Sequence, residues 1–399
     1  MEPIDVKAII AKFDTREHAR RADAYFAGLD ERSLVCRRPW ASIAEAPELA
    51  FGISAVLGGL QLFHGARVLD FGCGLGWMSF LLADLGCQVH ALDVSSNALA
   101  LGEKLSRSKS SNPAAIRFVL YDGKTMDLSD GAVDRIVCFS AFHHVPDQAV
   151  VLKEMYRVLA PGGIAAFHEP GPHHSKTLQS QEEMRSFQVI ENDIVIEDIW
   201  RAAHDVGFAE MRVGYQAPRA IPLSVEEFQR LTSGGDADLA RRVVEESSAQ
   251  QENMRTFFLT KSGARRLDSR SVQGLAHRIS ISNVKVVSGS IEADLTATNT
   301  GGATWLPSGH YVSAVNLGVH LIDAAGASIE RDYHRILLLK EPVAPGKEVR
   351  QRISIPLPSG RSPGTYAFDL DLVSEGIAWF SLCGSHAVRL SAPGDTFNA

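Results

Sequence analysis

Three glycines at alternate positions, Gly72, Gly74 and Gly76, stand between an apolar run that ends near Asp70 and a helical stretch that opens near Trp77. A turn without side chains lets main-chain amides approach a ligand, and amides at a helix start favour an anion, so the segment reads as a nucleotide-type binding turn. Asp93, with Val94 behind it, ends the next apolar run, Val89-His90-Ala91-Leu92. That is about 20 residues on, where a carboxylate meets ribose hydroxyls in such folds. A second set of groups suits proton transfer: His143 and His144 follow one later apolar run, and His168, Glu169, His173 and His174 follow another. Histidine titrates near neutral pH and can take a proton from a hydroxyl or an ammonium. His144 is the favoured base, with Glu169 as orienter or alternative and His143 as a further candidate. The competing reading has His143 and His144 packing beneath a ligand while His173 and His174 lie solvated in a loop. His168, Glu169 and His173 also permit a divalent metal, but their spacing follows no metal-ligand pattern, so no metal is expected.

The glycine spacing discriminates between ligands. A dinucleotide turn wants glycine at its first, third and sixth positions, yet the sixth position from Gly72 is Trp77, and counting from Gly74 reaches Ser79. A nicotinamide-dependent oxidoreductase therefore stands as an alternative. The run Asp70-Phe71-Gly72-Cys73-Gly74-Leu75-Gly76 resembles motif I of the class I S-adenosylmethionine-dependent methyltransferases. The resemblance continues through Leu120-Tyr121-Asp122-Gly123, through Asp134 to Val145, and through Met155 to Gly163. These motifs follow in order over roughly residues 65 to 170. The resemblance implies S-adenosylmethionine as cofactor. On it, Asp70 positions the methionine ammonium, the loop of Gly72, Cys73, Gly74 and Gly76 offers its amides, and Asp93 beside Val94 holds the ribose. Asp122 and Gly123 would meet the adenine amino group, and Ser140 opens the loop beneath the sulfonium.

The elements that must position these groups alternate. From Ala66 to Phe167 short apolar strands at Gln88–Asp93, Ile116–Leu120, Asp134–Phe139 and Gly163–Phe167 are separated by helical stretches. This predicts an α/β doubly wound, seven-stranded Rossmann-like sheet with ligands beyond the carboxyl ends of its strands. Residues 1–65 read as a helical cap or lid, 66–263 as the catalytic domain and 264–274 as a polar linker. Glu197 to Phe208 reads as a helix stopped by Gly207. Strands follow through Met211–Tyr215 and Thr256–Lys261, with a polar helical insertion between them. Residues 275–395 alternate at period two between glycine- and proline-containing turns, which predicts an all-β antiparallel sandwich. Its order Asn299-x-Gly301, Trp305, then Asp371 to Phe380 resembles modules of bacterial polysaccharide-handling proteins. Trp305, Tyr311, Trp379 and Phe380 then read either as a sugar-stacking platform or as sandwich core, the latter favoured.

Composition sets limits. The 399 residues exceed one ordinary domain, and 45% apolar residues suffice for two cores. A net charge of -7 lacks the footprint of a nucleic-acid binder, so no nucleic-acid partner is expected. No run is apolar enough to span a bilayer and the first residues lack a secretion signal, which gives a soluble, cytoplasmic expectation. Five cysteines without CxxC pairs indicate reduced thiols. The reading is a methyltransferase acting on an oxygen or nitrogen of a small-molecule or glycan-linked acceptor, with the sandwich serving docking or dimerisation, including homodimerisation. A non-catalytic carbohydrate-binding or scaffold protein is the alternative outside enzymes.

Overall fold

The computed structural model describes residues 3–215, 220–251, 253–263, 267–307, 312–362 and 364–391. The chain falls into two units, Met1–Arg265 and Arg266–Ala399, each with its own apolar core. The first opens with α1 (Val6–Lys12), α2 (Thr15–Phe26) and α3 (Ala46–Leu60). Asp5 and Asp14 start α1 and α2 by accepting the amides of Lys7 and Glu17. Then β1 (Arg67–Phe71), α4 (Trp77–Asp84), β2 (Gln88–Asp93) and α5 (Ser96–Lys109) lead to β3 (Ile116–Leu120). β4 (Val133–Phe139), α6 (Gln148–Val158) and β5 (Leu159–Pro170) continue the alternation. These five strands pair in parallel, and the central ones are buried on both faces, which is why they read as unbroken apolar runs.

After β5 come α7 (Leu178–Phe187), α8 (Ile196–Val206), β6 (Phe208–Gly214), α9 (Val225–Thr232), α10 (Ala237–Gln251) and β7 (Met254–Lys261). Gly207 ends α8 as expected: at φ +117° its amide reaches the carbonyls of Ala203 and His204. β7 lies antiparallel between β5 and β6, so the sheet order is β3-β2-β1-β4-β5-β7-β6. Phe167 of β5 stacks on its partner Phe257 of β7 at 4.6 Å, burying both rings where the two strands meet. The dinucleotide order 3-2-1-4-5-6 has no strand inserted beside the fifth.

The N-terminal helices do not behave as one cap. α3 belongs to the sheet's helical layer, its Val56 and Leu60 buried against Val68, Val137 and Ala166. Gly52 permits that approach, since a Cβ there would stand 2.6 Å from Nε2 of His168. Trp40, though large and apolar, is 67% exposed. Among the described residues no helix is long and apolar enough to cross a membrane.

The second unit contains β8 (His277–Val287), β9 (Ser290–Asn299), β10 (Val315–Asp323), β11 (Ser328–Ile336) and β12 (Glu348–Pro356). β13 (Tyr366–Ser374), β14 (Ala378–Trp379) and β15 (Val388–Ser391) complete it. Antiparallel sheets β12-β9-β8 and β11-β10-β13-β14, with β15 on β13, enclose one core as a sandwich. β9 alternates buried and half-buried at every step, as a strand covering one face must. Trp305 and Phe380 are fully buried there, so they are core and no sugar platform. Trp379 is half-buried beneath Arg335, and Tyr311 lies outside the described residues. The predicted linker is shorter than its polar composition suggested. Leu267 packs on the sandwich core, and the amide and hydroxyl of buried Ser269 donate to the carbonyls of Thr304 (2.9 Å) and Ser313 (2.7 Å). Polarity misled because Ser269 is satisfied by carbonyls rather than water.

Candidate functional site

The glycine turn joins β1 to α4, with Gly72, Gly74 and Gly76 at φ +68°, +52° and +80°, a region other residues enter with strain. Gly72 is constrained twice over, because a Cβ there would stand 2.3 Å from Cβ of Ala141. The turn is fastened to β2: the amides of Gly72 and Cys73 donate to the Leu92 carbonyl at 2.8 and 3.1 Å. The Gly74 amide donates to Oδ2 of Asp93 at 2.8 Å, and the Ser95 amide to Oδ1 at 2.9 Å. Burial raises the Asp93 carboxyl above its usual range, with these amide bonds working against it. Asp70, at the end of β1, accepts the Ser79 hydroxyl at 2.6 Å. Burial pushes its carboxyl up to about 7, the Ser79 bonds opposing and the Asp93 charge adding to the rise. Two buried acids side by side favour a cation between or beside them.

The remaining residues expected on the cofactor lie around the same strand ends. Val94 is half-buried against the first unit's core. Asp122 is exposed after β3, its Oδ1 taken by the amides of Lys124 (2.7 Å) and Thr125 (2.8 Å) of its own turn. Gly123 follows at φ +82°. Ser140 is exposed after β4 at φ +51°, a left-handed backbone for a residue with a Cβ, and its amide donates to the His168 carbonyl. Cys73 is buried, and burial pushes its thiol well up, which leaves its sulfur inert. All five cysteines are free.

α2 packs over these ends. Its Asp23 accepts the Ser95 hydroxyl (2.7 Å) and the Asn97 amide (2.9 Å), capping α5 from another element. Thr15, at the start of α2, presses on Gly123, and Phe26, at its end, lies 3.7 Å from the point where a Gly74 side chain would begin. Tyr25 sets its ring against Phe187 of α7 at 5.4 Å.

The histidines and acids gather on the neighbouring loops. Phe142–His144 form a 3₁₀ turn after β4. Fully buried Glu169 organises it: Oε1 accepts the amides of Ala141 and Phe142, both at 3.0 Å, and Oε2 accepts Nδ1 of His143 at 2.7 Å. Burial raises the Glu169 carboxyl, but these donors outweigh it and hold it below its ordinary value. Burial and the charge of His144 push His143 down to about 4, so at neutral pH its ring is uncharged. His144 is nearly half exposed, with Nδ1 2.6 Å from the Ile190 carbonyl. A carbonyl only accepts, so Nδ1 carries a hydrogen, and in the neutral ring the lone pair is then on Nε2. The segment around Ile190 is laced to this turn, since the Asn192 amide donates to the His143 carbonyl and its side chain to that of Val145, both at 2.9 Å. The lacing brings in Glu191, a residue with no signal in the sequence, whose Oε2 lies 2.7 Å from Nε2 of His174.

The trio His168, Glu169 and His173 does not assemble. Successive residues of β5 face opposite ways, so Glu169 reaches the 142–144 turn while His168 bonds Thr256 of β7 at 2.8 Å under α3. His173 is exposed, and His174, expected beside it in solvent, is drawn inward by Glu191. His168, like His143, is pushed down to about 4 by burial.

Residues 69–167 match a family model described as a methyltransferase domain. The chain is 27% identical over 168 residues to phosphoethanolamine N-methyltransferase 2 of Caenorhabditis elegans, covering 41% of this chain and 37% of that protein. It is 36% identical over 111 residues to 2-methyl-6-phytyl-1,4-hydroquinone methyltransferase of a Synechocystis strain, covering 27% and 33%. The chain thus spans about a third of the length of these two curated relatives. Among solved structures, Haemonchus contortus phosphoethanolamine N-methyltransferase 2 with S-adenosyl-L-methionine aligns at a TM-score of 0.45 and 20% identity over 63% of this chain and 60% of that one.

Proposed function

We propose that the first unit transfers a methyl group from S-adenosylmethionine to an oxygen or nitrogen of a small-molecule or glycan-linked acceptor. The observation that carries this is Asp93, a buried carboxylate at the end of β2 that holds the Gly74 and Ser95 amides beside a turn of three left-handed glycines. The match of residues 69–167 to a methyltransferase domain supports it, as does a sheet with β7 inserted beside β5. The residues fit the group by the acids they present and by the space they leave. Around Gly74 the Phe26 ring alone comes within 4 Å of a notional Cβ, and Asp70 and Asp93 offer negative charge to a cationic ligand. The amides of Gly72, Cys73, Gly74 and Gly76 are spent within the protein, so the side-chain-free turn they build would border the methionine carboxylate, with Asp70 at the ammonium and Asp93 at the ribose hydroxyls. Val94, Asp122 and Gly123 would border the adenine, with Ser140 and the turn after it beneath the sulfur. The cofactor supplies a methyl on a sulfonium, which becomes a neutral thioether once the methyl leaves.

The chain's own contribution is alignment, exclusion of water and a base. His144 is assigned that role, because its Nε2 lone pair is left free and can take the proton of an acceptor hydroxyl or ammonium. His143 and Glu169 act as positioning residues that fix the turn bearing it. The relatives' names join a phosphoethanolamine nitrogen and a hydroquinone, so the acceptor has to be read from the pocket. Docking or self-association is assigned to the sandwich, in a soluble cytoplasmic enzyme. Calorimetric titration with S-adenosylhomocysteine tests the core of the proposal. Wild type should bind one equivalent and Asp93→Ala should lose it; absence of binding by the folded wild type refutes it.

A further inference from the structure

We propose that His143, His174 and Glu191 form a site for one divalent transition-metal ion, distinct from the residues assigned to the cofactor. Their ligand atoms all lie within 4.8 Å of one another, and no other such group occurs among the described residues. Nε2 of His174 and Nε2 of His143 lie 2.7 and 4.0 Å from the same carboxylate oxygen, Oε2 of Glu191, so an ion between them needs only small rotations. The three come from separate elements: the turn after β4, the loop after β5, and the segment laced to that turn by Asn192.

Two further observations point to an ion rather than to a plain hydrogen-bonded triad. Glu169 accepts Nδ1 of His143 at 2.7 Å, which turns Nε2 outward with its lone pair, the carboxylate–histidine arrangement found behind metal ligands. Glu191 is 2% exposed, and its Oε1 accepts no hydrogen bond. Nδ1 of His144 lies 3.4 Å away, but its hydrogen is directed to the Ile190 carbonyl. A buried carboxylate oxygen without a donor is costly, and coordination would satisfy it. Two imidazoles and one carboxylate suit Zn²⁺, Co²⁺ or Fe²⁺, whereas Mg²⁺ and Ca²⁺ select all-oxygen sets. Three protein ligands leave the fourth tetrahedral position for water or an oxygen of a bound molecule.

The test is direct titration of the metal-stripped full chain with Co²⁺ at neutral pH, followed by its visible d–d absorption, and then displacement by Zn²⁺. One equivalent should bind with a tetrahedral spectrum, and Zn²⁺ should raise the melting temperature. Glu191→Gln and His174→Ala should abolish the band, Glu169→Gln should weaken affinity about 10- to 100-fold, and surface variant His204→Ala should bind as wild type. No band from folded wild type, or a band that persists in both ligand variants, overturns the site. S-adenosylhomocysteine binding is measured on the same samples, so failure of the metal site and failure of the cofactor reading are separate results.

Discussion

Replacing Glu169 by glutamine probes the point on which the histidine loop is built. The carboxylate accepts four hydrogen bonds from the 141–143 segment, two on each oxygen. A glutamine carbonyl can keep the amides of Ala141 and Phe142, but its NH₂ then faces the His143 amide at 3.3 Å and Nδ1–H at 2.7 Å, donor against donor. Bonds to a charged acceptor are worth about 1.5–3 kcal/mol each, so two lost bonds cost about 3–6 kcal/mol. Moving the His143 proton to Nε2 would restore one bond, and removing a buried charge returns some desolvation, which leaves a net loss of about 2 kcal/mol. At about 2–4 °C per kcal/mol for a unit of this size, the affected transition in differential scanning calorimetry should fall by about 4–8 °C. The transition of the sandwich should stay in place. A shift below about 2 °C would show that Glu169 does not hold the turn, and with it the positioning argument for His143 and His144 would fail.

Other perturbations separate the remaining roles. His144→Ala should lower turnover about 10²- to 10⁴-fold with unchanged S-adenosylhomocysteine affinity; full turnover removes it as the base. Stability should fall as pH drops from 6.5 to about 4.5. His143 and His168 stay unprotonated in the fold down to about 4 while the unfolded chain takes up protons near 6.5, so each favours the unfolded state as pH falls. Asp70, raised to about 7, acts oppositely, since the fold retains its proton there and loses that contribution as pH rises through 7. Each of the two histidines contributes a slope of about 1.4 kcal/mol per pH unit there, and His168→Gln should reduce the total by about that amount in urea titrations run across that window. An unchanged slope in that variant would refute the assignment. Trp305→Ala, which empties a fully buried site, should cost the sandwich about 3–5 kcal/mol in a calorimetric scan while leaving cofactor affinity intact. Loss of that affinity would contradict independent cores.

The sequence by itself determined what depends on neighbours along the chain. Strand, glycine turn and helix at residues 67–84, the acid at the end of β2, the stop at Gly207 and the period-two strands of the sandwich are set by side-chain periodicity and by backbone angles few residues tolerate. Tertiary structure alone decided which charged groups meet. Glu191 sits in an ordinary polar stretch, and it becomes a partner of His174, 17 residues away, because hydrogen bonds from Asn192 and to Ile190 strap its segment to the 142–144 turn. The alternation of β5 sent His168 and Glu169 to opposite faces, and pairing with β7 gave His168 a buried hydroxyl partner that no local pattern announces. The polar stretch at Ser269 and the tryptophans at 40 and 305 make the same point from the other side. Burial is conferred by what packs over a residue, and one chain segment does not contain that information.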